Sequence, residues 1–459
     1  MFAAPADQVS LPVPRSVVIR AHAVSYLYGV SAATIEGGAE PIREGDFVKC
    51  AGDFTLKWQI EVQAPGDYEI RMNCAAPATP GGRTLVITAG EDRIEVALGV
   101  THGYFGNPEL NYERVVLPSF LHLSAKPASL MLAMKSPDAN AKLSFRSLEL
   151  VPASARMALA SEEARAVAAR AQPAWLSQAG YGVMFHWTSK SVSSDGAHKP
   201  YAQAVQDFDV PAFAEMVKSM GAAYVIFTVG HAEPYCPAPI KAWEKYHPGK
   251  TTSRDLVMEI ADQLAVRGVK LLCYFPTHIV AKTGHVGEEE FMRINREILQ
   301  EFGERYGPKV AGYWFDGWYQ SLETYPKVAF EEFYRVCKAG DANRIIAINS
   351  WFYPVVTPWQ DYWAGEVGEP VTLPKGRIFN YGPARGLPYH ALLTMEPYWV
   401  QESAVVPPPR FTPAALSEYI RACHAAGGCV TINLGIFQNG SIGSDALQVM
   451  REVRRLIRR

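Results

Sequence analysis

The feature that most constrains this chain is a change of hydrophobic rhythm at Trp175. Beyond it one unit repeats: a short, nearly continuous apolar run, a loop, then apolar residues three and four apart. The apolar runs fall at 182–187, 223–229, 270–275, 310–315, 344–349, 361–366, 392–395 and 429–434. A strand covered on both faces needs no polar alternation, and strands that alternate with helices build a parallel sheet. Amphipathic stretches between the runs include Phe291, Ile294, Ile298, Phe302, and Leu256, Ile260, Leu264 before Gly268; another opens with Thr412 as cap and Pro413 in its first turn. Eight such units predict an α/β fold of the (β/α)8 TIM-like barrel class over residues 176–459. An open doubly wound sheet is the competitor, but no G-x-G-x-x-G follows any run.

Before Trp175 the period is two. Phe54, Leu56, Trp58, Ile60 and Val62 alternate with Thr55, Lys57, Gln59 and Glu61, the pattern of a half-buried strand. Similar runs at 67–72, 83–88, 93–98, 130–134 and 142–150 are separated by Gly, Asn, Asp and Pro, with Gly90, Glu91 and Asp92 a hairpin turn. Residues 1–152 are therefore expected to form an antiparallel β-sandwich domain. The segment 155–171, rich in Ala, Arg and Glu, reads as a helix inside a linker over 153–175.

Charge narrows the function classes. With 44 Lys and Arg against 46 Asp and Glu, the net charge is -2, which leaves no basic field for nucleic acid or an anionic membrane. No apolar run reaches the roughly 20 residues of a spanning helix. The start, Met1 to Ser10, has no basic region followed by an apolar stretch, so the expectation is a cytoplasmic protein, or a periplasmic or secreted one if a signal peptide precedes it. Seven Cys without a C-x-x-C pair suggest free thiols. His198, His247, His278 and His285 show no metal-ligand spacing, so no metal and no cofactor is expected. The closing basic run, Arg451, Arg454, Arg455, Arg458 and Arg459, reads as the solvated face of a last helix.

In a barrel the chemistry sits where strands end. The polar residues there are His186, His231, Glu233, Asp316, Asn349, Glu366, Glu396 and Asn433, set among Trp187, Tyr235, Tyr274, Trp314, Trp318, Trp351, Trp363, Tyr398 and Trp399. The run Gly312, Tyr313, Trp314, Phe315, Asp316, Gly317, Trp318 is the sharpest of these, because it carries a carboxylate from an apolar strand into a glycine turn. Carboxylates among aromatic rings suit a sugar: rings meet apolar sugar faces, and carboxylates serve the hydroxyls and the glycosidic bond.

The motifs GYGVMFHW, AYVIFTVGHAEPYC, VAGYWFDG, DYWAGEVGEP, TMEPYW and AAGGCVTINLGIFQNGSI resemble, in order, segments of the α-L-fucosidases of glycoside hydrolase family 29. The resemblance spans about residues 180–442. It implies a retaining exo-glycosidase acting on a terminal sugar of an oligosaccharide or glycoconjugate, with Asp316 as nucleophile and Glu366 as acid/base, Glu396 being the reserve for the latter role. It further implies substrate contacts from His186, Trp187, His231, Glu233, Tyr235, Tyr274, Trp314, Trp318 and Asn349. One departure bears on the sugar. The family's Lys-His-His-Asp-Gly run reads Gly230, His231, Ala232, Glu233, Pro234 here, so one histidine of the pair is an alanine. The same mechanism on a different sugar, or a glycan-binding protein without hydrolysis, are the alternatives. The amino-terminal segments PGDYEIRM and RTLVITAG resemble those of carbohydrate-binding modules, with a purely structural domain as the alternative.

Overall fold

The computed structural model describes residues 16–38, 42–44, 47–171, 173–325, 327–373 and 384–458. Met1 to Ser10 and Arg459 lie outside the described residues. The chain divides into two compact units. One comprises residues up to Arg165 together with Phe352–Pro354, and the other Ala166–Trp351 with Val355–Arg459. The division falls inside the helix Arg156–Ala169.

The first unit holds two six-stranded sheets. Phe54–Val62 runs in one of them and buries Phe54, Leu56, Trp58 and Ile60 on alternate positions. Those side chains share a core with Ile70, Met72, Phe145 and Leu148 of the other sheet, and the Trp58 and Phe145 rings stand 5.8 Å apart. The expected hairpin is present: Arg83–Ala89 pairs with Asp92–Leu98, with Ala89 opposite Asp92. The sandwich is not purely antiparallel, because Val17–Ile19 lies parallel to Phe54–Val62. Five further strands, Ser25–Tyr28, Thr34–Gly37, Ile42–Glu44, Phe47–Ala51 and Glu113–Leu123, were not legible from alternation. In the last, Pro118 cannot donate to a ladder, and the register shifts between Val116 and Phe120.

The second unit is built on an eight-stranded, wholly parallel sheet. Its strands are β1 (Tyr181–Phe185), β2 (Tyr224–Thr228), β3 (Lys270–Pro276), β4 (Val310–Asp316), β5 (Ile345–Ile348), β6 (Glu366–Gly368), β7 (His390–Thr394) and β8 (Cys429–Asn433). The spatial order is β5-β4-β3-β2-β1-β8-β7-β6, so the sheet curls with β5 and β6 at its edges. Helix Glu288–Tyr306 buries Phe291, Ile294, Ile298 and Phe302 as their spacing predicts. Helix Pro413–Ala425 is capped by the Thr412 hydroxyl, which accepts from the Ala415 N–H.

The sixth strand is the correction. It was expected over 361–366 but begins only at Glu366. Asp361, fully buried, instead bonds β5 with both backbone and side chain: its N–H donates to the Ile346 carbonyl at 2.7 Å, and its Oδ2 accepts the Ile346 N–H at 2.8 Å. A carboxylate thus takes the place of a strand carbonyl. Lys338 balances its charge at 2.8 Å and Tyr334 donates to Oδ1 at 2.7 Å, as a buried carboxylate requires. Gly365 then turns with φ 62°, where a Cβ would lie 1.9 Å from the His390 carbonyl oxygen, so only glycine fits.

Candidate active site

Asp316 is the last residue of β4, opposite Pro276 of β3. Its carboxylate is held on three sides. Oδ1 accepts from the Gly317 N–H and from Asn349 Nδ2, both at 2.9 Å, and Oδ2 accepts from the Tyr274 hydroxyl at 2.7 Å. Gly317 can aim its N–H this way because its φ is 79°, and a Cβ there would sit 1.8 Å from His278 Nδ1. Burial opposes the Asp316 charge, but His278, Asn349, Tyr274 and the Gly317 N–H together hold its pKa below the ordinary carboxylate value.

Glu366 opens β6, and the Asn349 amide nitrogen that serves Asp316 Oδ1 also serves Glu366 Oε2. One nitrogen therefore stands between two carboxyl groups. With hydrogen bonds of about 3 Å each, those two oxygens are no more than about 6 Å apart. Burial first, and the Asp316 charge second, push the Glu366 pKa up to about 8, against a lowering by Asn349. Two carboxyl groups so close have opposite protonation preferences, one an anion and the other an acid at neutral pH.

Around them stand the histidines. The His186 ring centroid lies 5.2 Å from that of His231, 5.1 Å from Tyr274 and 5.2 Å from Trp399. Burial and then His231 push the His186 pKa down to about 3. Burial, chiefly, lowers that of His231 to about 4, and its Nδ1 is buried with no hydrogen-bond partner among the described residues. Both are neutral imidazoles at physiological pH, able to exchange hydrogen bonds with hydroxyl groups.

The remaining expected residues divide. Trp187 is enclosed by Tyr201, Phe208 and Phe227, and its N–H donates to the Gln438 carbonyl. Trp318 is packed by Phe291, Phe330 and Phe333. These two are core residues in the structure, with no ring face left for a ligand. Trp314 is buried too, stacked on Tyr274 at 5.4 Å with its N–H on the Ala364 carbonyl, so it backs a residue that touches Asp316. Glu233 and Tyr235 lie further out. Glu233 is exposed, accepts from Ser189 Oγ at 2.6 Å and sits 3.7 Å from Lys250, whose ammonium covers the Tyr235 ring at 3.8 Å. Glu396 is fully buried: Oε2 accepts the Gly435 N–H at 3.0 Å, Oε1 has no partner among the described residues, and burial pushes its pKa up to about 7. Among the described residues no hydrogen bond joins it to Asp316. Among the described residues no group of three or more His, Cys, Asp and Glu is placed to hold a metal ion, and no helix is long and apolar enough to cross a membrane.

Comparison with known proteins decides the family. The alpha-L-fucosidase family profile matches residues 200–458, more than half of the chain. The chain belongs to the alpha-L-fucosidase family. As a member it is a glycoside hydrolase. Comparison with curated protein sequences found no match. Among solved structures it is similar to the endo-fucoidan hydrolase P5AFcnA of glycoside hydrolase family 107, at 14% identity over 62% of this chain and 93% of that one, with a TM-score of 0.48. It is also similar to the unliganded alpha-L-fucosidase AlfC from Lactobacillus casei, at 18% identity over 64% of this chain and 98% of that one, TM-score 0.44. A bacterial fucosidase crystallised with an iminocyclitol inhibitor gives 18% identity over 63% and 75%, TM-score 0.45.

Three neighbours in this alpha-L-fucosidase family member escaped the list of site residues drawn from sequence. His278 follows β3 and rests on the Gly317 turn beside Asp316. Asn433 ends β8 and bonds His186, and Trp399 packs on the same ring. Asn433 and Trp399 were visible as strand-end residues. The signal for His278 is its position just past a strand end.

Proposed function

We propose that the protein is a retaining exo-acting alpha-L-fucosidase that releases a terminal sugar from an oligosaccharide or glycoconjugate. The observation that carries this reading is the single Asn349 amide between Asp316 and Glu366. A retaining enzyme sets its carboxyl groups about 5 to 5.5 Å apart, whereas an inverting one leaves about 6.5 to 9.5 Å for a water; a shared nitrogen favours the closer arrangement.

Asp316, kept anionic, attacks the anomeric carbon while protonated Glu366 gives its proton to the glycosidic oxygen. The bond from that oxygen to the anomeric carbon breaks, the aglycone leaves as an alcohol, and the sugar is joined to Asp316 as an ester. Glu366, now a carboxylate, takes a proton from water. The water oxygen attacks the anomeric carbon, the ester breaks, and both residues return to their starting states. Two inversions leave the configuration retained. Tyr274 and the Gly317 N–H stabilise the carboxylate as it leaves. His186 and His231 take the sugar hydroxyls. The parallel sheet reads as a (β/α)8 barrel whose β5–β6 seam is spanned by Asp361, and the amino-terminal sheets as a carbohydrate-binding-module-like domain.

A different terminal sugar is the second reading, favoured by Ala232, an exposed methyl where the family run carries a histidine. Hydrolysis of aryl α-L-fucoside beside α- and β-galactoside, α-L-rhamnoside, arabinosides and xylosides, by wild type and Asp316→Ala, tests both. Fucoside turnover that Asp316→Ala abolishes, with product of retained configuration by NMR, is the expected result. Turnover of another sugar alone would move the substrate and keep the chemistry; an inverted product would remove the nucleophile role.

A further inference from the structure

Neutral imidazole has one N–H and one lone pair, and the bond made by one nitrogen fixes the role of the other. His186 Nδ1 lies 2.7 Å from Asn433 Oδ1. The other end of the same amide, Nδ2, lies 3.1 Å from the Trp399 carbonyl oxygen. A backbone carbonyl can only accept, so the amide must turn its NH2 toward Trp399 and its oxygen toward His186. The flipped amide would press two acceptors together. Asn433 Oδ1 cannot donate, so the hydrogen between it and the ring is on His186 Nδ1. Nε2 then carries the lone pair, and among the described residues it has no hydrogen-bond partner.

We propose that Asn433 is a positioning residue that locks His186 into the Nδ1–H form, so that the pocket demands a sugar hydroxyl that donates a hydrogen bond to His186 Nε2. The proposal rests on the reading of these strand ends as the sugar site and deepens it. The ring belongs to the reacting cluster: it packs on Tyr274, whose hydroxyl holds Asp316. The contact is one-directional. A hydroxyl can give the hydrogen; fluorine, which can only accept, cannot. The two residues are 247 positions apart in the chain, so the polarity of this contact is set across the β1–β8 pairing.

The direct test is hydrolysis of aryl α-L-fucosides in which the 3- or 4-hydroxyl is replaced, one at a time, by fluorine or by hydrogen. At the hydroxyl that meets His186, both replacements are expected to lower kcat/KM by about 10²-fold or more, with no advantage to fluorine, since neither can donate. Asn433→Ser, whose hydroxyl can give or accept, frees the ring to carry its hydrogen on Nε2. There the fluoro substrate should outrun the deoxy one by about tenfold, the scale of a single hydrogen bond. A fluoro analogue that outruns the deoxy analogue tenfold at both positions in wild type would overturn the proposal. So would an Asn433→Ser variant with unchanged discrimination. The tautomer is also read without turnover: ¹⁵N-histidine NMR of the full chain, with His186 assigned by its loss in His186→Gln, should give an Nδ1–H pattern. An Nε2–H pattern sinks the proposal, while absent fucoside turnover beside an Nδ1–H pattern counts against the fucosidase reading alone.

Discussion

The two ends of β4 and β5 treat buried polar groups in opposite ways. At the amino-terminal end, Arg344 is wholly buried and spends its guanidinium on five backbone carbonyls, those of Val310, Cys337, Ala339, Gly303 and Gly307. Five is all that an arginine can donate. At the carboxyl-terminal end, Asp316 and Glu366 share one amide nitrogen, and His231 Nδ1 has no partner among the described residues. A saturated group stabilises and does nothing else. An unsatisfied one is tolerated where a substrate completes it, so the difference separates the end that holds the sheet together from the end proposed to react.

The sharpest way to break that contrast is at Asp316. Asp316→Ala should lower kcat on the order of 10⁴-fold, as loss of one member of a concerted catalytic group does, with the melting temperature little changed; calorimetry beside aryl fucoside turnover reads both. Glu366→Gln should cost about 10² to 10⁴-fold with a poor leaving group and much less with an activated aryl one. Wild-type kcat/KM should also fall as pH rises through about 8, since Glu366 must hold its proton to act as acid. A pH profile of the Gln variant that keeps this basic limb would assign the limb elsewhere.

At the other end the sign reverses. Arg344→Met removes all five of these hydrogen bonds and should destabilise the protein by about 3 kcal/mol or more, while kcat of the folded fraction stays within about twofold. Denaturant titration and turnover at low temperature check the pair. A large fall in kcat without loss of stability would erase the distinction between the two ends.

The smallest effect belongs to Glu396, whose carboxyl is raised to about 7 by burial. The folded protein holds this proton more tightly than the unfolded chain does. Its contribution to stability is therefore complete below the ordinary carboxylate range and is lost as pH rises through about 7. At about 1.4 kcal/mol per pKa unit, the loss amounts to a few kcal/mol at most. Glu396→Gln should flatten melting temperature against pH between about 5 and 7. An unchanged slope would mean that Glu396 does not carry the proton.

Legibility followed the range of the forces. Period-two alternation located Phe54–Val62 to the residue, because burial on one face of a strand writes itself into neighbouring positions. The run ending at Asp316 was equally plain, since an apolar strand closing on a carboxylate and a glycine is a local pattern. The segment 361–365 misled for the same reason. Its apolar residues fit a strand, but Asp361 answers β5 with its side chain, and nothing local records that. Trp187 and Trp318 misled differently. A tryptophan beside a strand end reads alike whether its ring meets a sugar or Tyr201, Phe208 and Phe333.

The sequence by itself determined the alternation of parallel strands and helices, the eight strand positions to within a few residues save the sixth, and Asp316 at the end of β4. Each is encoded in hydrophobic period and adjacency along the chain. Only the tertiary structure decided that Asn349 lies between Asp316 and Glu366, that hydrogen bonds and His278 keep Asp316 an anion while burial makes Glu366 an acid, and that Asn433 faces His186. Those depend on which strand ends meet and how far water is excluded there. Electrostatics and hydrogen bonding act through space at a few ångströms, whatever the separation along the chain.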